Sequence, residues 1–154
     1  MASAERWAVD TSVAVAALDA GHGAHIPCRE AVQRHRPSLA GHAAFEVFAV
    51  ITRMPGQAAV DPGDAAALIA RVFPHVVWLS GEQSAALRER LAPIGICGGA
   101  TYDALVGEAA RTAGHRLLTR DQRARRTYDL LGVDYELIGH SRRRPPVADH
   151  VHAV

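Results

Sequence analysis

Residues 7–18 read WAVDTSVAVAAL, and the switch of pattern inside this stretch decides the fold class. Trp7-Ala8-Val9 is an apolar triplet with no polar face, the mark of a buried strand. Asp10, Thr11 and Ser12 are residue types that open helices, and the run from Val13 to Leu18 supplies the helix, which Gly21 and Gly23 close. Outward from here the same alternation repeats. A helix is expected over Ile26–His35, stopping before Pro37, then a short strand Ser38–Ala40 and a helix Ala43–Arg53 closed by Pro55-Gly56. Asp61 followed by Pro62 is a cap with proline at the first helical position, opening a helix to about Phe73. Val76–Leu79 reads as a strand and Glu82–Leu91 as a helix, followed by a glycine-rich loop over Ile94–Gly99. A helix from Thr101 to Thr112, a strand Arg116–Thr119, a helix Asp121–Leu131 ended by Gly132, and a strand Val133–Ile138 complete the series. Strands separated by helices imply an α/β domain whose central sheet, of about five strands, is mainly parallel, with helices on its flanks and right-handed crossovers.

The length of 154 residues suits one domain, expected over residues 1–140, with an arginine- and proline-rich tail over 141–154 that is expected to be poorly ordered. Hydrophobic residues make up 49% of the chain, enough to bury a core, and the net charge of +1 neither demands nor excludes a nucleic-acid partner. The absences say more. All 17 basic residues are arginine, so a Walker-type phosphate loop, a Schiff-base enzyme and a lysine-dependent phosphotransfer site are excluded. No asparagine is present, hence no N-glycosylation acceptor. Cys28 and Cys97 stand far apart with no C-x-x-C partner, and both are expected as small buried hydrophobes in a reducing compartment. Glu5, Arg6 and Asp10 interrupt the apolar stretch a signal peptide would need, and no apolar run approaches the ~18 residues of a membrane span, so a cytoplasmic setting is expected. Of the nine histidines, His22 and His25 lie three apart but lack further ligands and read as surface residues; Trp7 and Trp78, both on strands, read as core.

In a parallel sheet, chemistry gathers outside the carboxyl ends of the strands. Four acids fall at that edge. Asp10 follows the first strand directly, Asp121 follows Leu117–Thr119 by two residues, and Asp103 lies in the first turn of a helix after the glycine-rich loop. Glu46 breaks the apolar run Ala43–Ile51, a poor place for a charge without a partner. Each has an innocent role: Asp10 and Asp121 as helix caps, Asp103 favoured by the helix dipole, Glu46 facing solvent or pairing with Arg53 seven residues on. Convergence on one edge accounts for all four together. Carboxylates that converge repel and cannot all be ionised without a cation, and hard oxygen ligands suit Mg²⁺ or Mn²⁺ better than zinc. Gly107 and Ala110 continue the face of Asp103 and permit close approach. Five arginines at 116, 120, 123, 125 and 126 flank Asp121; of these Arg120, Arg123 and Arg126 are expected to contact phosphates.

The pieces Val9-Asp10-Thr11-Ser12-Val13, Phe45-Glu46-Val47, Thr101-Tyr102-Asp103-Ala104-Leu105 and Leu117-Leu118-Thr119-Arg120-Asp121, in this order and spacing, resemble the PIN domain of VapC-type toxins from bacterial toxin–antitoxin pairs. The likeness spans about Trp7 to Ile138, leaving the tail after Ser141 outside it. It implies a metal-dependent endoribonuclease restrained by a VapB-type antitoxin, acting on RNA and commonly assembled as a two-fold homodimer. It further implies that Asp10, Asp103 and Asp121 hold one or two Mg²⁺ or Mn²⁺ ions, that Glu46 completes the acidic pocket, and that Thr119 supports the metal ligands from behind. Ser12 is expected to cap the helix after Asp10 rather than touch metal. Metal-assisted attack by water, with Glu46 or Asp121 handling its proton, would leave a 5′-phosphate.

Rival readings differ in composition. Receiver domains and haloacid-dehalogenase phosphatases both need a lysine, and the latter a second aspartate where Ser12 stands. The patterns G-x-S-x-G, H-E-x-x-H and G-x-G-x-x-G are absent. A PIN-like module that only grips RNA or a protein is the alternative of another class, and Asp10→Ala separates the two: an enzyme loses cleavage, a binding module keeps its effect.

Overall fold

A computed structural model of the chain describes residues 5–56 and 59–139, and the expected tail over 141–154 lies outside the described residues. Five strands, β1 (Trp7–Val9), β2 (Ser38–Ala40), β3 (Val76–Val77), β4 (Arg116–Thr119) and β5 (Tyr135–Leu137), form one sheet in the order β3-β2-β1-β4-β5. Every neighbouring pair is parallel. Between them run α1 (Thr11–Leu18), α2 (His25–His35), α3 (Ala43–Thr52), α4 (Pro62–Val72), α5 (Gly81–Leu91), α6 (Ala100–Thr112) and α7 (Arg125–Leu131). The α/β architecture with a parallel five-stranded sheet is the one expected from the alternation of patterns.

Side chains alternate across the strands and divide the core in two. Trp7, Val9, Leu39 and Leu118 pack with α1, α2 and α3, whereas Ala8, Ala40 and Leu117 pack with α6 and α7. Sheet order makes the site. From β1 the chain steps outward through β2 to β3, then returns to place β4 on the other side of β1. The turns leaving β1 and β4 therefore part in opposite directions and open a crevice at the carboxyl ends of these adjacent strands. Asp10 and Asp121 stand there. One turn along α6 from Asp103, Gly107 packs directly under Tyr128, and a Cβ at this position would meet the tyrosine ring at 2.8 Å. The small face read from the sequence is what lets α7 lie against α6.

Some elements differ from their expected bounds, each for a local reason. The last helix starts at Arg125, not Asp121, because the Asp121 carboxylate accepts the Arg123 amide at 2.9 Å and holds a turn before the helix. The third strand ends at Val77, and Trp78 swings out with 54% of its surface exposed, so it is not the core residue expected. Trp7 is buried as expected. Cys28 is buried, but Cys97 is exposed on the glycine-rich loop. His22 and His25 bond to the backbone of Ala24 and Ala16 respectively.

Candidate active site

Asp10 is the centre of the crevice. Its backbone continues β1, with its amide donating to the Leu118 carbonyl at 3.2 Å, and its side chain caps α1 by accepting the Val13 amide at 3.1 Å. Only 4% of the residue is exposed. One carboxylate oxygen also accepts the Ser12 hydroxyl at 2.6 Å; the other accepts the hydroxyls of Thr119 and, at 3.2 Å, of Tyr128. Burial pushes the Asp10 pKa up, and these donors oppose the rise. Ser12 is not the helix cap. Asp10 fills that position itself, and the Ser12 hydroxyl bridges Asp10 to β4 by accepting the Arg120 amide at 2.8 Å. Thr119 links in the same manner, its oxygen accepting the Asp121 amide at 3.1 Å. Two hydroxyls thus lock the end of β1 to the end of β4.

Glu46 reaches the crevice from α3 and Asp103 from the first turn of α6. Together with Asp10, Thr11, Ser12, Val106, Asp121 and Tyr128, they line one cavity of about 210 Å³. The four acids, separated by as many as 111 positions from 10 to 121, meet as the sequence reading expected. Glu46 pairs with the cavity, not with Arg53. Burial raises its pKa, while His42, one turn earlier, and the Thr11 hydroxyl act the other way. Asp103 is raised to about 6, first by burial and then by the negative charges of Asp121, Glu46 and Asp10, with Arg123 opposing. Burial and the surrounding carboxylates also lift the Tyr128 phenol well above its ordinary range, so it stays a neutral donor.

Among the described residues no three His, Cys, Asp or Glu side chains are already arranged to hold a metal ion. What stands there is a cavity of like charge, lined by hard oxygen donors, in which Asp103 is lifted by burial and then by the other three acids. That donor set and its uncompensated charge fit Mg²⁺ or Mn²⁺. The arginines divide. Arg123 lies beside the acids, 3.6 Å from Asp121 and close enough to act on Asp103. Arg120 turns toward Gly139 and acts on Cys28 on the other side of β4, and Arg126 is exposed on α7. Tyr128 was missed at the sequence level. Its apolar neighbours Leu130 and Leu131 mark a packing face, and only the sheet order reveals that its hydroxyl meets Asp10.

A sequence model of the PIN domain matches residues 8–130. Ribonuclease VapC27 of Mycobacterium tuberculosis is 41% identical over 126 residues, covering 82% of this chain and 92% of that protein. The chain belongs to the PIN domain family, in its VapC branch. Ribonuclease VapC40 of the same organism is 40% identical over 132 residues, covering 85% of this chain and 98% of the relative. Among solved structures, VapBC2 from Rickettsia felis, bound to a DNA fragment from their promoter, superposes on this PIN domain with a TM-score of 0.59, covering 85% of this chain and 97% of that one. At 13% identity this likeness speaks for the fold.

Proposed function

We propose that this VapC-family PIN domain is a Mg²⁺- or Mn²⁺-dependent endoribonuclease, the toxin of a pair whose other member is a VapB-type antitoxin. The observation that carries the reading is the cavity itself, where Asp10, Glu46, Asp103 and Asp121 share one space, with Arg123 beside Asp121 and His42 acting on Glu46. Two relatives of high coverage are named ribonucleases, and the solved neighbour is a VapBC assembly.

Asp10, Asp103 and Asp121 would hold the ion, with Glu46 completing the shell. When bound, the metal supplies charge neutralisation at the scissile phosphate and lowers the pKa of water. Ser12, Thr119 and Tyr128 keep the Asp10 carboxylate in one orientation, as supporting residues do for metal ligands elsewhere. We assign the proton of the attacking water to Glu46 or Asp121, and a phosphate contact to Arg123; Arg120, turned toward Gly139, and Arg126, out on α7, are not assigned one. Attack by water leaves a 5′-phosphate on the downstream product. RNA as substrate and a two-fold homodimer are part of the same proposal. No helix among the described residues is long and apolar enough to cross a membrane.

The test is cleavage of RNA by the purified chain with Mg²⁺, with Mn²⁺ and with excess chelator, beside the Asp10→Asn protein. Metal-dependent cleavage that leaves 5′-phosphates and vanishes in the variant supports the reading. Cleavage that survives chelation, or products ending in 2′,3′-cyclic phosphates, overturns it.

A further inference from the structure

A row of aromatic rings leads away from the acid cavity. His42 stacks on Tyr102 with centroids 5.3 Å apart and planes at 17°; Phe45 follows at 6.1 Å from His42, and Trp78 at 5.6 Å from Phe45. Of the eight Phe, Trp and Tyr residues in the chain, Phe45 (63% exposed), Trp78 (54%) and Tyr102 (53%) are the most exposed, and all three stand in this row. The row adjoins the chemistry through His42, which lies one helical turn from Glu46, near enough for its charge to be felt there, and which stacks on Tyr102. A cavity of about 150 Å³, sized for a flat ring, opens between His42, Phe45 and Trp78, with Ser84 on its wall.

Phe45 and Trp78 also line an apolar groove of about 540 Å³ with Phe48, Ile69 and Phe73, but covering that groove gives no reason for the row to continue with a stacked histidine and tyrosine toward Glu46. Bases are the ligand with flat apolar faces and a phosphate at fixed reach from each. Aromatic platforms bind them with little regard to sequence, and only where bases are unpaired. We propose that Trp78, Phe45, His42 and Tyr102 form a stacking platform for the unpaired bases beside the scissile phosphate. The proposal rests on the nuclease reading for the phosphate it positions, while the stacking can be measured without cleavage.

Trp78 is the natural probe, since the other tryptophan, Trp7, is buried. In excess chelator, a single-stranded oligoribonucleotide is expected to quench Trp78 fluorescence, whereas an abasic strand of the same length and an RNA duplex leave it unchanged; Trp78→Phe removes the signal and identifies its source. Trp78→Ala and Tyr102→Ala should each weaken oligonucleotide binding about tenfold, the scale of one lost base stack, with Trp78→Phe and Tyr102→Phe restoring it. In cleavage assays the alanine variants raise KM more than they lower kcat. Equal binding of abasic, duplex and single-stranded RNA overturns the proposal. So does unchanged oligonucleotide affinity in alanine variants that instead lose self-association or a protein partner, which would give the row to a protein interface. If base-dependent quenching is seen but metal-dependent cleavage is not, the nuclease reading fails and the platform stands; cleavage that ignores the bases gives the reverse.

Discussion

The two ends of the sheet hold buried carboxylates in opposite circumstances. At the amino end, Glu108 of α6 is 3% exposed and fully paired: Arg111 contacts both its oxygens at 2.9 and 2.7 Å, and Arg90 donates at 3.0 Å. The hydrogen bonds from Arg111 hold its pKa below the ordinary carboxylate range. Arg116 makes looser ion pairs, at 3.3–3.6 Å, with the exposed acids Glu5, Asp134 and Glu136. At the carboxyl end, Asp10 is as deeply buried but meets only hydroxyls and an amide, and its pKa is raised. An acid that stabilises a fold is given its counter-charge by the fold. An acid left without one, among three others, is held ready for a cation from outside.

Substitutions at the two ends should therefore part cleanly. Asp10→Asn preserves the helix cap and removes the buried charge; RNA cleavage is expected to fall at least ~100-fold, with thermal stability unchanged or higher. Were Asp10→Asn to keep its cleavage, the contrast between the ends would be lost. Thr119→Val deletes the hydroxyl that joins Asp10 to Asp121, and steady-state kinetics should show a ~10–100-fold loss of activity together with weaker metal binding.

Metal addition sharpens the comparison through pH. With Asp103 lifted to about 6, its protonated form favours the folded metal-free protein; that contribution is complete below the ordinary aspartate range and is lost as pH rises through about 6. Metal binding needs the ionised acids, so saturating Mn²⁺ should raise thermal stability by about 2–3 kcal/mol near neutral pH and far less at about pH 5, as differential scanning calorimetry would read. An equal shift at both pH values would disprove binding at these acids.

Glu108→Gln is expected to leave cleavage within about twofold and cost about 1–2 kcal/mol of stability, a modest figure because Arg90 and Arg111 are two-fifths exposed. The lowered pKa means this loss is present above the ordinary glutamate range and disappears as pH falls through the folded value, so denaturation curves of variant and parent should converge in acid. The smallest effect on stability belongs to Tyr128→Phe. It removes the weakest of the Asp10 hydrogen bonds, at 3.2 Å, and should cost ~1 kcal/mol with only a few-fold change in activity.

Much of this was legible from residues alone. β1 occupies the apolar triplet that marked it, and β2 and β4 the short stretches expected between helices, since a short buried strand is recognisable without neighbours. Asp61-Pro62 opens α4 and Ser80 caps α5 through local hydrogen bonds that any chain of this sequence would make. Asp121 shows where local reading stops. It has the chemistry of a cap, but its side chain turns to the Arg123 amide and the helix waits until Arg125. Trp78 shows the same limit, its strand character outvoted by the end of a two-residue edge strand.

The sequence by itself determined the kinds and order of elements and the arrival of each acid at an element's end, because periodicity and capping act within a few residues. Only the tertiary structure decided that β4 lies beside β1, that residues 10, 46, 103 and 121 open onto one cavity, and that Glu108 is paired while Asp10 is not. Those outcomes belong to contacts between segments distant along the chain, which no local preference encodes.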